Sequence, residues 1–249
     1  MLLATITSAV ASDYLTYSGT AKAPHRDDVL YGEHHVLRFD GGRLQERVVL
    51  YTCHDGSAFA RKRITYRDLL APDFELEDTA SHYREGVRSD AGRRVVFFKS
   101  ATGSEQKAAL PQVEELVADA GFDEFVKKHW AELLTNTPVR FDFLVPSTLG
   151  DHRFQVDHLR TDGSSGRPLE VFRLRLAGWW GRLLPTIDVY YDAKDRVLTR
   201  YDGLSNLRAP GGSNMKADIH FPLQARQPVT DAAWQAALGA PLASCRSPS

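Results

Sequence analysis

Apolar and polar side chains alternate residue by residue in short runs along most of this chain, and that pattern limits its fold more than any other feature. A period of two puts successive side chains on opposite faces of a strand, so each run reads as a half-buried strand. The runs fall at 14–21, 30–39, 44–53, 59–66, 74–80, 83–88 and 95–99, and resume at 139–145, 153–158, 169–176, 187–191, 197–201 and 215–221. Asp40-Gly41-Gly42, Asp55-Gly56 and Asp90-Ala91-Gly92 separate neighbouring runs, and glycine reaches positive φ without strain, so these read as tight turns. A further loop is expected over 162–166, and Gly211-Gly212-Ser213 reads as a hairpin turn.

One stretch breaks the pattern. Pro111 suits a first helical position, and Val113, Leu116, Val117 and Ala120 recur at helical spacing up to Gly121. Phe122, Phe125, Val126, Trp130, Leu133 and Leu134 form a second helical stripe, closed by Thr135-Asn136-Thr137-Pro138. The expectation is a mainly β fold with a small α insert: a large curled antiparallel sheet, or half-barrel, with a helical lid around residues 111–135. A sheet of this many strands must curl or close to manage its edges. With no repeat or linker evident, 12–225 reads as a single β-rich domain. Residues 226–249 form a C-terminal extension, partly loose, with a weak helical segment at 231–238.

The formal net charge of -1 argues against a nucleic-acid footprint and against a polybasic membrane-surface protein. No apolar run approaches the roughly 20 residues of a membrane-spanning helix, so a soluble protein is expected. Leu2 to Val10 is apolar, and Ala9-Val10-Ala11 has the small–x–small form of a signal-peptidase site. Residues 1–11 thus read as a signal-peptide remnant, without its basic region, of a periplasmic or secreted bacterial protein; the alternative is a frayed tail. Cys53 and Cys245 allow two readings: a disulfide that staples the C-terminal tail to a strand, or a buried free thiol at Cys53.

No catalytic, metal or cofactor motif stands out, and no cofactor is expected. His34 and His35 are adjacent on a strand, so they point to opposite faces and cannot share a metal. Glu75 and Glu77 share a face, which suits acid–base work if buried and solubility if exposed. Arg47, Arg61, Arg63, Arg140, Arg153, Arg173 and Arg175 all sit on strands. Turned inward, such arginines can grip an anionic head group; turned outward, they form a wet sheet face. Phe97, Phe98, Phe141, Phe143, Phe154, Trp179 and Trp180 are enough to line a ligand cavity, and equally what a β core contains.

The candidate ligand-binding set is therefore Phe97, Phe141, Phe143, Phe154, Trp130 and Trp179 for an apolar body, with Arg63 and Arg173 for a head group. The ligand would be lipid-like or otherwise a small amphipathic molecule, held without chemistry. Two other readings remain open: a hydrolase or isomerase site assembled from scattered residues such as His54, Glu75 and His158, and an envelope interaction module that recruits a partner strand at an open sheet edge.

Leu183-Leu184-Pro185, Ile187-Asp188-Val189-Tyr190-Tyr191-Asp192, Arg196-Val197-Leu198 and Tyr201-Asp202-Gly203-Leu204-Ser205-Asn206 resemble the closing strands of uncharacterised proteobacterial periplasmic proteins with β-rich, half-barrel folds. The resemblance covers about a quarter of the chain and brings no activity with it. By overall plan the chain is also similar to the lipoprotein carriers LolA and LolB, whose curled sheet and helical lid enclose an acyl-chain cavity. That likeness implies a trough with an interior, and the emptiness and lining of that interior are what bear on function.

Overall fold

Each alternating run pairs with the next across a tight reversal, so neighbours in sequence become neighbours in the sheet. Gly41, Gly42, Gly56 and Gly92 all hold positive φ at such reversals. The computed structural model describes residues 13–164, 166–178, 185–209 and 211–245. The first half forms β1 (Tyr14–Lys22), β2 (Val29–Asp40), β3 (Arg43–Thr52), β4 (Ala58–Thr65), β5 (Asp73–Asp78), β6 (Tyr83–Asp90), β7 (Arg93–Lys99) and β8 (Gln106–Ala109). The second half forms β9 (Leu116–Val117), β10 (Val139–Val145), β11 (Gly150–Asp162), β12 (Leu169–Leu176), β13 (Ile187–Asp192), β14 (Leu198–Arg208), β15 (Asn214–His220) and β16 (Gln227–Pro228).

All sixteen belong to one sheet, ordered β8-β7-β6-β5-β4-β3-β2-β1-β15-β14-β13-β12-β11-β10-β9. Two meanders are thus welded by the antiparallel pairing of β1 with β15 at Thr20, Ala21 and Lys22. The start of β1 instead takes β16, through Leu15 and Thr16. Pairing is antiparallel throughout, except that β9 runs parallel to β10.

The sheet is curled and unclosed: its outermost strands, β8 and β9, do not pair with each other. The curl shows in the packing, because Leu144 of β10 shares one core with Val87 of β6 and Val96 of β7, from the far end of the strand order. Leu110, just after β8, and Leu116 of β9 belong to the same core.

The helical insert is shorter than its spacing predicts. Residues 111–120 do not form a helix; Leu116 and Val117 pair with Asp142 and Phe143 of β10 instead. Pairing with a strand end outweighs a weak local preference. Helices α1 (Gly121–Lys128) and α2 (Trp130–Leu133) follow. Gly121 therefore begins a helix, where its sequence context suggests an ending. The reason is steric: a Cβ at Gly121 would lie 1.8 Å from the Leu70 carbonyl oxygen. Phe125, Val126, Trp130 and Leu133 pack onto Phe141, Val156, Phe172 and Leu174 of β10–β12, so the helices lie against the concave face.

The convex face is covered elsewhere. Helix α3 (Asp231–Gly239) seats Trp234 and Ala237 on Val36, Val48 and Leu50. Arg61 donates to the carbonyls of Leu238 and Ala240 at 2.9 Å each, and Arg63 donates to Leu238 at 3.0 Å. These arginines satisfy carbonyls left open at the helix C-terminus and oppose its partial negative charge. Beyond α3, Cys245 is disulfide-bonded to Cys53. The proposed leader, residues 1–11, lies outside the described residues.

The disulfide spans 192 residues of chain, so its effect on the unfolded state is large. A Cys53→Ala/Cys245→Ser double variant is expected to lose about 2–5 kcal/mol in denaturant unfolding, with faster amide exchange concentrated in α3. Unchanged stability and unchanged α3 protection contradict this account.

Candidate functional site: a charged trough

The concave side of the sheet is not filled by its own side chains. It encloses a half-open cavity of about 1060 Å³, bounded by β1–β4 on one wall, β12–β14 on the other, and α1. This is at the upper end of the volumes of small-molecule sites, about 300–1,000 Å³. Much of the wall is apolar, including Leu37, Phe39, Ile64, Phe122, Phe143 and Val189. Set among these are Glu33, His35, Arg47, Lys62, Glu85 and Asp119.

Alternation accounts for much of this lining. Glu33 and His35 share one face of β2, and His34 turns to the other, where its Nδ1 lies 2.9 Å from the Ser18 hydroxyl. Arg61-Lys62-Arg63 are consecutive on β4, so when α3 takes both arginines, Lys62 must enter the trough. There its ammonium donates to Asp119 at 2.6 Å. Burial acts against the charged lysine, but the attraction of Asp119 and its hydrogen bond raise the pKa above the ordinary lysine value.

A network continues from this pair. The pairing of β14 with β15 is interrupted between Leu204 and Arg208, where Ser205, Asn206 and Leu207 lie. Leu207 is buried among Tyr31, Tyr51, Phe59 and Leu76 of β2–β5. Asn206 donates to Asp119 and to Glu85, both at 3.0 Å. Tyr31 adds a 3.2 Å contact to Ser205. Burial raises the Glu85 carboxyl pKa, against the opposing effects of the Tyr83 hydroxyl and Arg208. β14 and β6 are far apart in the strand order, so these contacts cross the trough.

His35 is 7% exposed, stacked on Tyr17 at 4.4 Å and edge-on to Phe221 at 5.5 Å. Its Nε2 lies 2.9 Å from Glu33 Oε2. Burial lowers its pKa to about 4; the Glu33 contact pulls the other way and does not overcome it. The pair is therefore a neutral imidazole donating Nε2–H to a carboxylate, with Nδ1 left as an acceptor that finds no partner among the described residues.

The residues singled out from sequence are dispersed. Phe143 lines the cavity. Phe141, Phe154 and Trp130 belong to the core between helix and sheet; the Phe141 ring lies 4.2 Å from that of Phe125, and Trp130 is edge-on to Phe172 at 5.3 Å. Phe97 shares the face of β7 opposite Val96, buried beneath the Arg88 guanidinium at 4.0 Å. Arg63 is engaged with α3, and Arg173 forms a two-pronged ion pair with Asp188 at 2.7 Å on the convex face. Trp179 lies outside the described residues. Of the seven strand arginines, Arg47 alone reaches the cavity. His54, Glu75 and His158 do not converge: they contact the Val29 carbonyl, Arg84 and Glu170 respectively.

The fold and its interior define a curled, unclosed β half-barrel with an amphipathic trough. No protein-family model and no curated protein matches the chain. Among solved structures it is similar to a beta-barrel-like protein of the domain of unknown function DUF1849 from Brucella abortus. The identity is 8% over 87% of this chain and 97% of that one, with a TM-score of 0.39. It is also similar to a DUF1329 family protein from Desulfovibrio piger ATCC 29098, at 8% identity over 90% of each chain and a TM-score of 0.33. Among the described residues, no helix is long and apolar enough to cross a membrane.

The lowered pKa of His35 gives a signed expectation. Its contribution to stability is complete above the unfolded value near 6.5 and is lost as pH falls toward 4, because the unfolded chain takes up a proton that the folded one refuses. The stability difference between the wild type and His35→Gln should be constant above pH 7 and shrink by about 3 kcal/mol by pH 4. Parallel stability profiles for the two proteins would contradict a buried neutral His35.

Proposed function

We propose that this protein holds one small amphipathic molecule in the trough, without chemistry, in the periplasm or another oxidising extracellular space of a bacterium. The observation that carries the reading is the unfilled half-open cavity, whose wall combines long apolar stretches with buried charged groups. A wholly apolar ligand would leave those charges facing hydrocarbon, and a wholly polar one would leave the apolar wall facing its polar groups. A ligand burying about 300 Å² of apolar surface gains roughly 7 kcal/mol before ordering costs, enough for useful affinity.

Two features support the location. A disulfide persists in oxidising compartments, and the apolar N-terminal segment ends in a cleavage-like Ala9-Val10-Ala11. The resemblance of plan to LolA and LolB, drawn from the sequence alone, suggests a carrier role but is no evidence for one, since function belongs to a site and not to a fold.

Organic extraction of the purified protein, followed by mass spectrometry, should release one class of amphipathic molecule in near-stoichiometric amount. A protein that is consistently empty, and that takes up no amphipathic probe, contradicts the proposal.

A further inference from the structure

Three arginines of the trough wall, Arg47, Arg208 and Arg226, have an Nε without an acceptor among the described residues. Arg208 is still held by a hydrogen bond to Asn214 at 2.6 Å and Arg226 by one to the Leu198 carbonyl at 2.8 Å, which leaves Arg47 as the least completed of the three. Arg47 is only 8% exposed, yet its Nε has no acceptor among the described residues. Its nearest acidic neighbour, Asp123, stands 3.9 Å from Nη2 through Oδ2, too far for a hydrogen bond; that oxygen accepts from Lys127 at 2.9 Å, and the buried Oδ1 has no partner among the described residues. Beside it, Tyr66 is 6% exposed and its hydroxyl also finds no partner among the described residues. The Arg47 guanidinium carbon lies 5.7 Å from the Tyr66 ring centroid, and both residues line the cavity. Buried donors are almost always satisfied, so two adjacent unsatisfied ones beside an open volume point to a missing acceptor.

We infer that Arg47 and Tyr66 receive the carboxylate head group of an amphipathic ligand whose apolar body lies along the trough; this rests on the ligand-holding function proposed above. A guanidinium presents paired N–H groups that match the two oxygens of a carboxylate, and the phenol supplies a third donor. The charge of the head group is limited by its neighbours. Asp123 and Glu124 both line the same region, and each shares Lys127. A single negative charge is compensated there by Arg47, whereas a dianionic phosphate meets two carboxylates. Leu37 and Ile64, the strand neighbours of Arg47 in register, are apolar and line the cavity, so the head group emerges directly onto hydrocarbon.

The test uses the full chain and three probes of equal length, dodecanoic acid, dodecan-1-ol and dodecyl phosphate, with binding followed by calorimetry at neutral pH. The wild type should prefer the acid to the alcohol by roughly ten- to hundredfold, the effect of hydrogen bonds to a charged group. Arg47→Met should remove that preference while leaving alcohol binding in place. Tyr66→Phe deletes only a hydroxyl and should weaken the acid several-fold without affecting the alcohol, which keeps the test sound if Arg47→Met does not fold. Equal binding of acid and alcohol by the wild type overturns the head-group assignment and leaves the ligand-holding function standing. Tighter binding of the phosphate than of the acid overturns the choice of a carboxylate. Failure of all three probes to bind overturns the ligand-holding function itself.

Discussion

Lys62 and Asp119 meet at 2.6 Å inside the trough, and the placement of its parts follows from that contact. Asp119 holds φ at +45°, a left-handed conformation that costs an ordinary residue roughly 1–2 kcal/mol. Its side chain accepts from Lys62, from Asn206 and from the Ala120 amide, so the backbone strain is held by three hydrogen bonds. That conformation sets the entry into α1, where Gly121 lies against the Leu70 carbonyl oxygen without room for a Cβ. The helix is thereby fixed to the β4 wall through Lys62, while Asn206 ties the same point to Glu85 on β6. Polar contacts of this kind hold walls at a set distance, whereas apolar side chains alone would favour closing the gap.

This arrangement explains how a curled sheet can keep an interior. On the α1–β12 side the helix packs aromatic rings into the concavity, and Phe125, Phe141 and Phe172 are buried there. Around the β14 interruption, Leu207 covers the inner faces of β2–β5. What remains between these two packed regions is the cavity, and the charged groups cluster there. Buried ion pairs are weak sources of net stability, since desolvation offsets attraction. Their concentration at the cavity wall therefore suits geometry and recognition better than thermodynamic support, and Arg47, with no carboxylate within hydrogen-bond reach, keeps binding capacity.

Much of the fold was legible. Alternation and Gly-containing turns located the β1–β7 meander and the strands from β10 to β15, and the histidine pair was correctly split between two faces. β8 and β9 were not legible, because four and two residues carry no periodicity and exist only through their partners. Leu116 and Val117 had helical spacing, yet pairing with β10 decided their conformation. The site was harder still. Arg47 lies in Arg47-Val48-Val49-Leu50-Tyr51, where both faces of β3 are buried and no polarity contrast marks the inner one. Arg61-Lys62-Arg63 offered a real signal, since alternation forces the middle residue away from its neighbours; the face became clear only once α3 claimed the arginines. The strand interruption at Ser205, Asn206 and Leu207 left no local trace.

The decisive measurement is a double-mutant cycle on Lys62→Met and Asp119→Asn in denaturant unfolding. Asparagine tolerates positive φ, so the second substitution removes charge while sparing the backbone. If this buried pair fixes the trough, Lys62→Met alone should cost about 3–5 kcal/mol by stranding Asp119, and the double variant should recover much of that loss. Additive effects of the two substitutions would show that the contact is incidental and that the walls are held apart by other means.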